Sequence, residues 1–264
     1  MNIMKTNGVH LHYQECGAKT GRPLVFANSL GTDFRVWQAL LPLLGDGFRV
    51  LLYDKRGHGL SDSPPPPYQI EDHVEDLAGL MRALGFEGAV VCGLSVGGLI
   101  AQGLAASHPD LVRGLILSDT AHKIGPPEIW SDRIKALQEG GIEALATAIL
   151  ERWFSEDFRT HRSAELAGWR HMLVRTPLSG YIGTALAIRD ADMTAAAQSI
   201  QVPTLCLVGS EDGATPPELV RSMAALISGS QFHVIDGAGH LPCVEEPGQM
   251  ARLVLTFLKE SGLD

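Results

Sequence analysis

No stretch of this sequence approaches the roughly 18 consecutive apolar residues that a bilayer span requires, so no membrane association is expected. The first thirteen residues, Met1 to Tyr13, carry one lysine and no apolar run of signal-peptide length, and no secretory leader is expected either. Cysteine is scarce. The four residues Cys16, Cys92, Cys206 and Cys243 are scattered, with no C-x-x-C pair. Cys92 and Cys206 lie in apolar, strand-like runs and read as reduced core thiols, and Cys243 reads as a packed loop thiol. Positive charge is also in short supply: 21 Lys and Arg stand against 30 Asp and Glu, for a net charge of −9. Without a basic stripe there is no footprint for a nucleic-acid partner. An anionic small molecule would need a local cationic group. There is no internal repeat. Together these absences point to a soluble, cytoplasmic protein.

The chain has 264 residues, 45% of them hydrophobic and 19% charged. That is a globular composition, long enough for one large α/β domain with a smaller insertion. Its most informative stretch is Val90-Val91-Cys92-Gly93-Leu94-Ser95-Val96-Gly97-Gly98. It reads as strand, abrupt turn and helix, with the pattern G-x-S-x-G at the turn. A serine on so sharp a turn has a strained backbone, and a Cβ two residues before or after it would collide with the neighbouring turn. The hydroxyl is lifted above a sheet edge beside the N–H groups that open the helix.

Taken in order, the chain alternates strand and helix. Gly8 to Cys16 has period-2 alternation, which leaves His10 and His12 as exposed strand residues. Pro23 to Ala27, Phe48 to Tyr53, Gly88 to Cys92 and Leu111 to Ser118 are short apolar runs of the kind buried on both faces of a parallel sheet. Thr32-Asp33 offers a cap for a helix carrying Phe34, Trp37, Leu40 and Leu41, and Tyr68 to Leu84 is an amphipathic helix stopped by Gly85. From Ala121 to Ser199 no buried strand is evident. Helices are expected there, broken at Gly140-Gly141, Pro177 and Gly180. Strands resume at Pro203 to Val208 and Gln231 to Ile235, before a last helix from Pro247 to Lys259. The expected architecture is an α/β fold whose mostly parallel sheet is covered on both faces by helices. Core segments 1–120 and 200–264 flank a helical cap at 121–199.

In such a sheet ligands bind beyond the carboxyl ends of the strands. Val208 is followed by Gly209-Ser210-Glu211-Asp212, and Ile235 by Asp236-Gly237-Ala238-Gly239-His240. Ser95, Asp212 and His240 thus occur in the Ser…Asp…His order of α/β-hydrolases. Serine is a weak nucleophile that needs an imidazole to take its proton, and the imidazole needs a carboxylate to hold its tautomer. Glu211 and Asp119, the latter at the end of the Leu111–Ser118 strand, are alternative acids. The oxyanion hole is expected from the N–H of Val96 and that of Leu30, in the loop after the Pro23–Ala27 strand. The Asp54–Ser61 loop, although it contains His58, reads as structural.

At this point the sequence resembles the α/β-hydrolases as a whole, through the Asp54-Lys55-Arg56-Gly57-His58-Gly59 loop, the Ser95 elbow, Gly209-x-x-Asp212 and Gly239-His240. The resemblance covers nearly all of the chain and implies an eight-stranded sheet. Asn28-Ser29-Leu30-Gly31-Thr32-Asp33, Gly93 to Gly98, and Asp119-Thr120-Ala121 with Ile124-Gly125 are similar to the 3-oxoadipate enol-lactonases. In many relatives the loop after the Pro23–Ala27 strand begins His-Gly; here it begins Asn28-Ser29, which changes the side chains lining the hole. The resemblance implies opening of 3-oxoadipate enol-lactone, in the β-ketoadipate branch of aromatic catabolism, through an acyl-enzyme on Ser95 without metal or organic cofactor. Such a lactone carries a carboxylate. Arg133, which follows Trp130, and Arg152 beside Trp153 are the cap's candidates to bind it, with the two tryptophans walling the ring. A broad carboxylesterase or perhydrolase, a carbon–carbon bond hydrolase and a non-enzymatic receptor on the same scaffold are the alternatives. Dehalogenase and epoxide hydrolase chemistry is disfavoured, because those relatives place Asp where Ser95 stands.

Overall fold

The computed structural model describes residues 1–264. Eight strands form one sheet: β1 (Asn2–Thr6), β2 (Val9–Gly17), β3 (Arg22–Ala27), β4 (Phe48–Tyr53), β5 (Ala89–Leu94), β6 (Val112–Ser118), β7 (Thr204–Gly209) and β8 (Gln231–Ile235), in the order β1-β2-β4-β3-β5-β6-β7-β8. β1, β2 and β4 pair antiparallel, and every pairing from β4 to β8 is parallel. The central strands are the continuous apolar runs: all six residues of β5 and of β7 are buried, as a sheet covered on both faces requires. Strand β1 does not announce itself by hydrophobicity, since its residues are exposed or half-buried. Its signal is the turn Asn7-Gly8, both residues with positive φ, which folds β1 back on β2 as a tight hairpin.

Helix α1 (Ile70–Leu84) opens with a reciprocal cap between Gln69 and Asp72 and stops at Gly85, whose φ is 67°. Helix α2 (Val96–Ser107) runs back along β3, β5 and β6. The capped stretch after Asp33 is not one helix. It forms two 3₁₀ turns, Phe34–Trp37 and Leu41–Leu43, because Pro42 lacks the N–H that a continuous helix would direct at Gln38. His12 also departs from expectation. His10 lies exposed beside Asp62, but the loop after β4 folds over β2, so that His12 Nδ1 meets Asp54 Oδ2 at 2.8 Å with the ring largely covered.

Between β6 and β7 the chain makes five helices: α3 (Pro127–Trp153), α4 (Glu156–His161), α5 (Ser163–Val174), α6 (Leu178–Asp190) and α7 (Thr194–Ser199). None is long and apolar enough to cross a membrane. Gly141 (φ 69°, ψ −179°) interrupts α3, and Pro177 precedes α6. Gly180, by contrast, breaks nothing. It lies inside α6, where a Cβ would stand 2.2 Å from the carbonyl oxygen of Gly57. Its glycine serves close approach of the insert to the loop after β4. Three further helices, α8 (Pro217–Ala224), α9 (Pro242–Glu245) and α10 (Pro247–Glu260), complete the chain.

Candidate active site

Strand β5 ends and helix α2 begins at Ser95, with φ 58° and ψ −119°. Few residues other than glycine adopt this conformation, so it has to be held by its surroundings. Two hydrogen bonds from the end of β6 hold it: Ser95 N donates to Ser118 O (3.0 Å), and Thr120 Oγ1 donates to Ser95 O (2.7 Å). A Cβ on Gly93 would lie 2.3 Å from Gly97 O, and one on Gly97 would lie 2.0 Å from Ala27 O. The two glycines flanking Ser95 are therefore sterically required.

Sheet order brings the loops after β7 and β8 to the same edge. His240 Nδ1 lies 2.9 Å from Asp212 Oδ2 and 3.0 Å from Oδ1, with both side chains buried. An ionised carboxylate only accepts, so Nδ1 carries the hydrogen and Nε2 keeps its lone pair. Asp212 also accepts from Ala214 N (2.7 Å), Thr215 N (3.0 Å) and Thr215 Oγ1 (2.6 Å). Burial works against its charge, but the facing His240 and the bonds from Thr215 outweigh burial and hold the carboxyl below its ordinary range.

The two alternative acids are placed differently. Glu211 is exposed. Asp119 is buried and accepts from Gly209 N (2.9 Å) and Ser118 Oγ (2.5 Å), making no bond to His240. Burial, then the charge of Asp212, pushes its carboxyl well above the usual range. Ligating atoms of Asp119, Asp212 and His240 do lie within 4.8 Å of one another. Donors already fill the Asp212 oxygens and leave the His240 Nε2 lone pair free, an arrangement suited to proton transfer.

Ser95 and His240 line one cavity with Ser29 and Leu30 from the loop after β3. The Leu30 N–H donates to no other group of the chain. Val96 is the first residue of α2, a position whose N–H helix geometry leaves free. The insert supplies the roof: Trp130, Arg133, Arg152, Trp153 and Tyr181. The Arg133 guanidinium stacks 5.2 Å from the Trp130 ring centroid and 5.6 Å from that of Tyr181, and bonds the Tyr181 hydroxyl. Arg152 Nε donates to Gly213 O (3.1 Å). Neither guanidinium pairs with a carboxylate. Burial and then the positive charge of Arg133 lower the pKa of Arg152, as expected of two cations facing one space. Trp153 has a second task, since its carbonyl accepts from His240 N (2.8 Å). Tyr181 and Thr215 carry no sequence signal of their own. A separate groove lined by His12, Phe34, Arg35, Met172 and Arg175 contains none of these residues.

The Alpha/beta hydrolase family matches residues 24–253 of this chain. A 3-oxoadipate enol-lactonase of Acinetobacter baylyi is 34% identical over 260 residues, covering 98% of this chain and 97% of its own. The crystal structure of the enol-lactonase from Burkholderia xenovorans superposes with a TM-score of 0.95 at 38% identity, over 98% of this chain and 100% of that one. A malate-bound thermophilic esterase from Thermogutta terrifontis superposes with a TM-score of 0.92 at 31% identity, over 99% of both chains.

Proposed function

This chain belongs to the alpha/beta hydrolase family, and from that premise we propose that it opens 3-oxoadipate enol-lactone to 3-oxoadipate through an acyl-enzyme on Ser95. The observation that carries the substrate class is the pair of guanidinium groups, Arg133 and Arg152, without carboxylate partners in the cavity that holds Ser95 and His240. In a protein of net charge −9, unpaired cations there are suited to an acidic small molecule. The similar enol-lactonases support the same class.

Ser95 Oγ attacks the lactone carbonyl carbon and its proton passes to His240 Nε2. Asp212 stabilises the resulting imidazolium. The Leu30 and Val96 N–H groups meet the tetrahedral oxyanion. Its collapse breaks the ring C–O bond, and the leaving enol oxygen takes the proton back from His240. The enol relaxes to the ketone. A water, deprotonated by His240, then adds to the acyl carbon, and Ser95 leaves with the proton. Arg133 holds the substrate carboxylate while Trp130 and Trp153 wall the ring. We further propose 121–199 as a cap domain over the core formed by 1–120 and 200–264.

The test is loss of enol-lactone absorbance on adding the purified protein. Ser95→Ala should lower kcat by roughly 10³-fold or more; near wild-type turnover would refute the serine assignment. Arg133→Ala should raise KM for the acidic lactone about tenfold or more while leaving a neutral ester nearly unchanged. An equal effect on both would refute the carboxylate contact. Similarity to the malate-bound esterase favours, as a second reading, a broader carboxylesterase, in which p-nitrophenyl esters would turn over and the enol-lactone would not.

A further inference from the structure

The loop after β4 contains a lysine in an unusual place. Lys55 is 1% exposed, yet no carboxylate lies within ion-pairing distance of its ammonium. Lys55 Nζ donates to Ser29 O at 2.5 Å and lies 3.4 Å from Thr32 O. The Ser29 carbonyl already accepts from Thr32 Oγ1 (2.9 Å) and Thr32 N (3.3 Å). This carbonyl belongs to the same planar peptide unit as the Leu30 N–H, and in a trans peptide the two point in opposite directions. Ser29 and Leu30 line the Ser95 cavity, and the carbonyl of the peptide they share meets a buried cation.

Pinning the loop does not call for a charge. Asn28 Nδ2 bonds Thr32 O (2.5 Å), Gly31 N bonds His58 Nε2 (3.0 Å) and the Thr32 hydroxyl bonds Ser29 O, all with neutral groups. A buried ammonium held by carbonyls without a carboxylate partner costs stability. Resting on the reading of Leu30 as an oxyanion donor, we infer that Lys55 is a positioning residue for the reaction, whose ammonium polarises the Ser29–Leu30 peptide and so strengthens the Leu30 N–H toward the oxyanion. Withdrawing electrons at the carbonyl oxygen makes the opposite N–H a stronger donor. The positive charge, buried behind the peptide, also favours the oxyanion. Both effects grow as charge develops on the substrate oxygen and are weak while its carbonyl is neutral, so they act on kcat rather than on KM.

Burial lowers the pKa of Lys55 to about 7, against the attraction of Asp54 and Asp33. The remaining titratable groups that feel its charge, His58 and His73, are buried, and burial holds both well below their ordinary value. The sign follows: the ammonium is present below that pH and lost above it, so kcat should fall on the alkaline side as Lys55 deprotonates.

The experiment compares wild type, Lys55→Met, Lys55→Arg and Ser95→Ala on the enol-lactone and on a neutral p-nitrophenyl ester, across pH 5.5–9.5, with blank hydrolysis subtracted. Lys55→Met should lower kcat about 10- to 100-fold on both substrates, somewhat less than removal of a direct oxyanion donor, with KM within about twofold. It should also lose the alkaline decline. Lys55→Arg should keep most of the turnover and move the decline to higher pH, because a guanidinium stays charged. A Lys55→Met enzyme with wild-type kcat and an unaltered alkaline limb would overturn the inference. If Lys55→Met does not fold, Lys55→Arg decides, and an unmoved limb overturns it. Near wild-type turnover by Ser95→Ala would instead refute the serine assignment, and with it the oxyanion reading on which the inference rests.

Discussion

Asp119 and Asp212 are both buried carboxyls at one sheet edge, and the structure gives them opposite chemistry. Asp212 faces an imidazole and three further donors. Asp119 faces one amide, one hydroxyl and the charge of its neighbour. A carboxyl pushed toward its neutral form is more nearly matched by a carboxamide than one held toward its charged form. Asp119→Asn should therefore keep kcat within about tenfold of wild type, while Asp212→Asn should lose roughly 10³- to 10⁴-fold, because a carboxamide can hold His240 in the wrong tautomer. Steady-state rates of the two variants check this, and equal losses would mean that both carboxyls serve the imidazole directly.

Helix α6 illustrates a conflict between local preference and packing. On propensity alone, Gly180→Ala inside a helix should stabilise by up to about 1 kcal/mol. The added Cβ, however, would stand 2.2 Å from Gly57 O and 2.3 Å from Gly57 Cα, which are backbone atoms that cannot swing aside. Overpacking of this kind costs about 1–3 kcal/mol. The expected net result is a lower melting temperature, and a rise would show that α6 shifts off the core without penalty. The same physics explains why this helix was harder to delimit from sequence: a glycine that permits contact looks the same as a glycine that ends a helix. The hairpin β1–β2 is the opposite case: its exposed first strand has no apolar pattern to mark it, and the Asn7-Gly8 turn is its one local signal.

For the whole molecule, the insert is joined to the core at the candidate site itself. Glu245 accepts from Ser155 N (3.0 Å) and Ser155 Oγ (2.7 Å) of the insert and from Gly239 N (2.8 Å), next to His240. The His240 N–H bonds Trp153 O. The segment that roofs the cavity thus also orients the imidazole loop. Global stability should carry the cost of Lys55. Its pKa falls from an ordinary 10.5 to about 7, so between those values the unfolded chain binds more protons and stability rises with pH. The buried charge costs at most about 5 kcal/mol, in full below pH 7 and vanishing toward pH 10.5. Lys55→Met should accordingly melt above wild type at pH 6–7, with the gap closing as pH rises. Thermal melts of both proteins across that range check the sign, and a variant less stable at neutral pH would mean that the lysine's packing outweighs its desolvation.

Read alone, the sequence determined what short-range physics controls: the buried strands from their apolar runs, the elbow from Gly93 and Gly97, the chain order of Ser95, Asp212 and His240, and the largely helical character of the segment 121–199. These depend on periodicity and on sterics within a few residues. Only the tertiary structure decided which acid meets His240, that Arg133 and Arg152 share a cavity without carboxylate partners, and that Lys55 stands behind the Ser29–Leu30 peptide. Each of those facts joins residues 19 or more positions apart, through sheet order and through loops whose register no local pattern records. Charge in a low-dielectric interior acts across space rather than along the chain, and for that reason a lysine in a loop that read as structural emerges beside the candidate site.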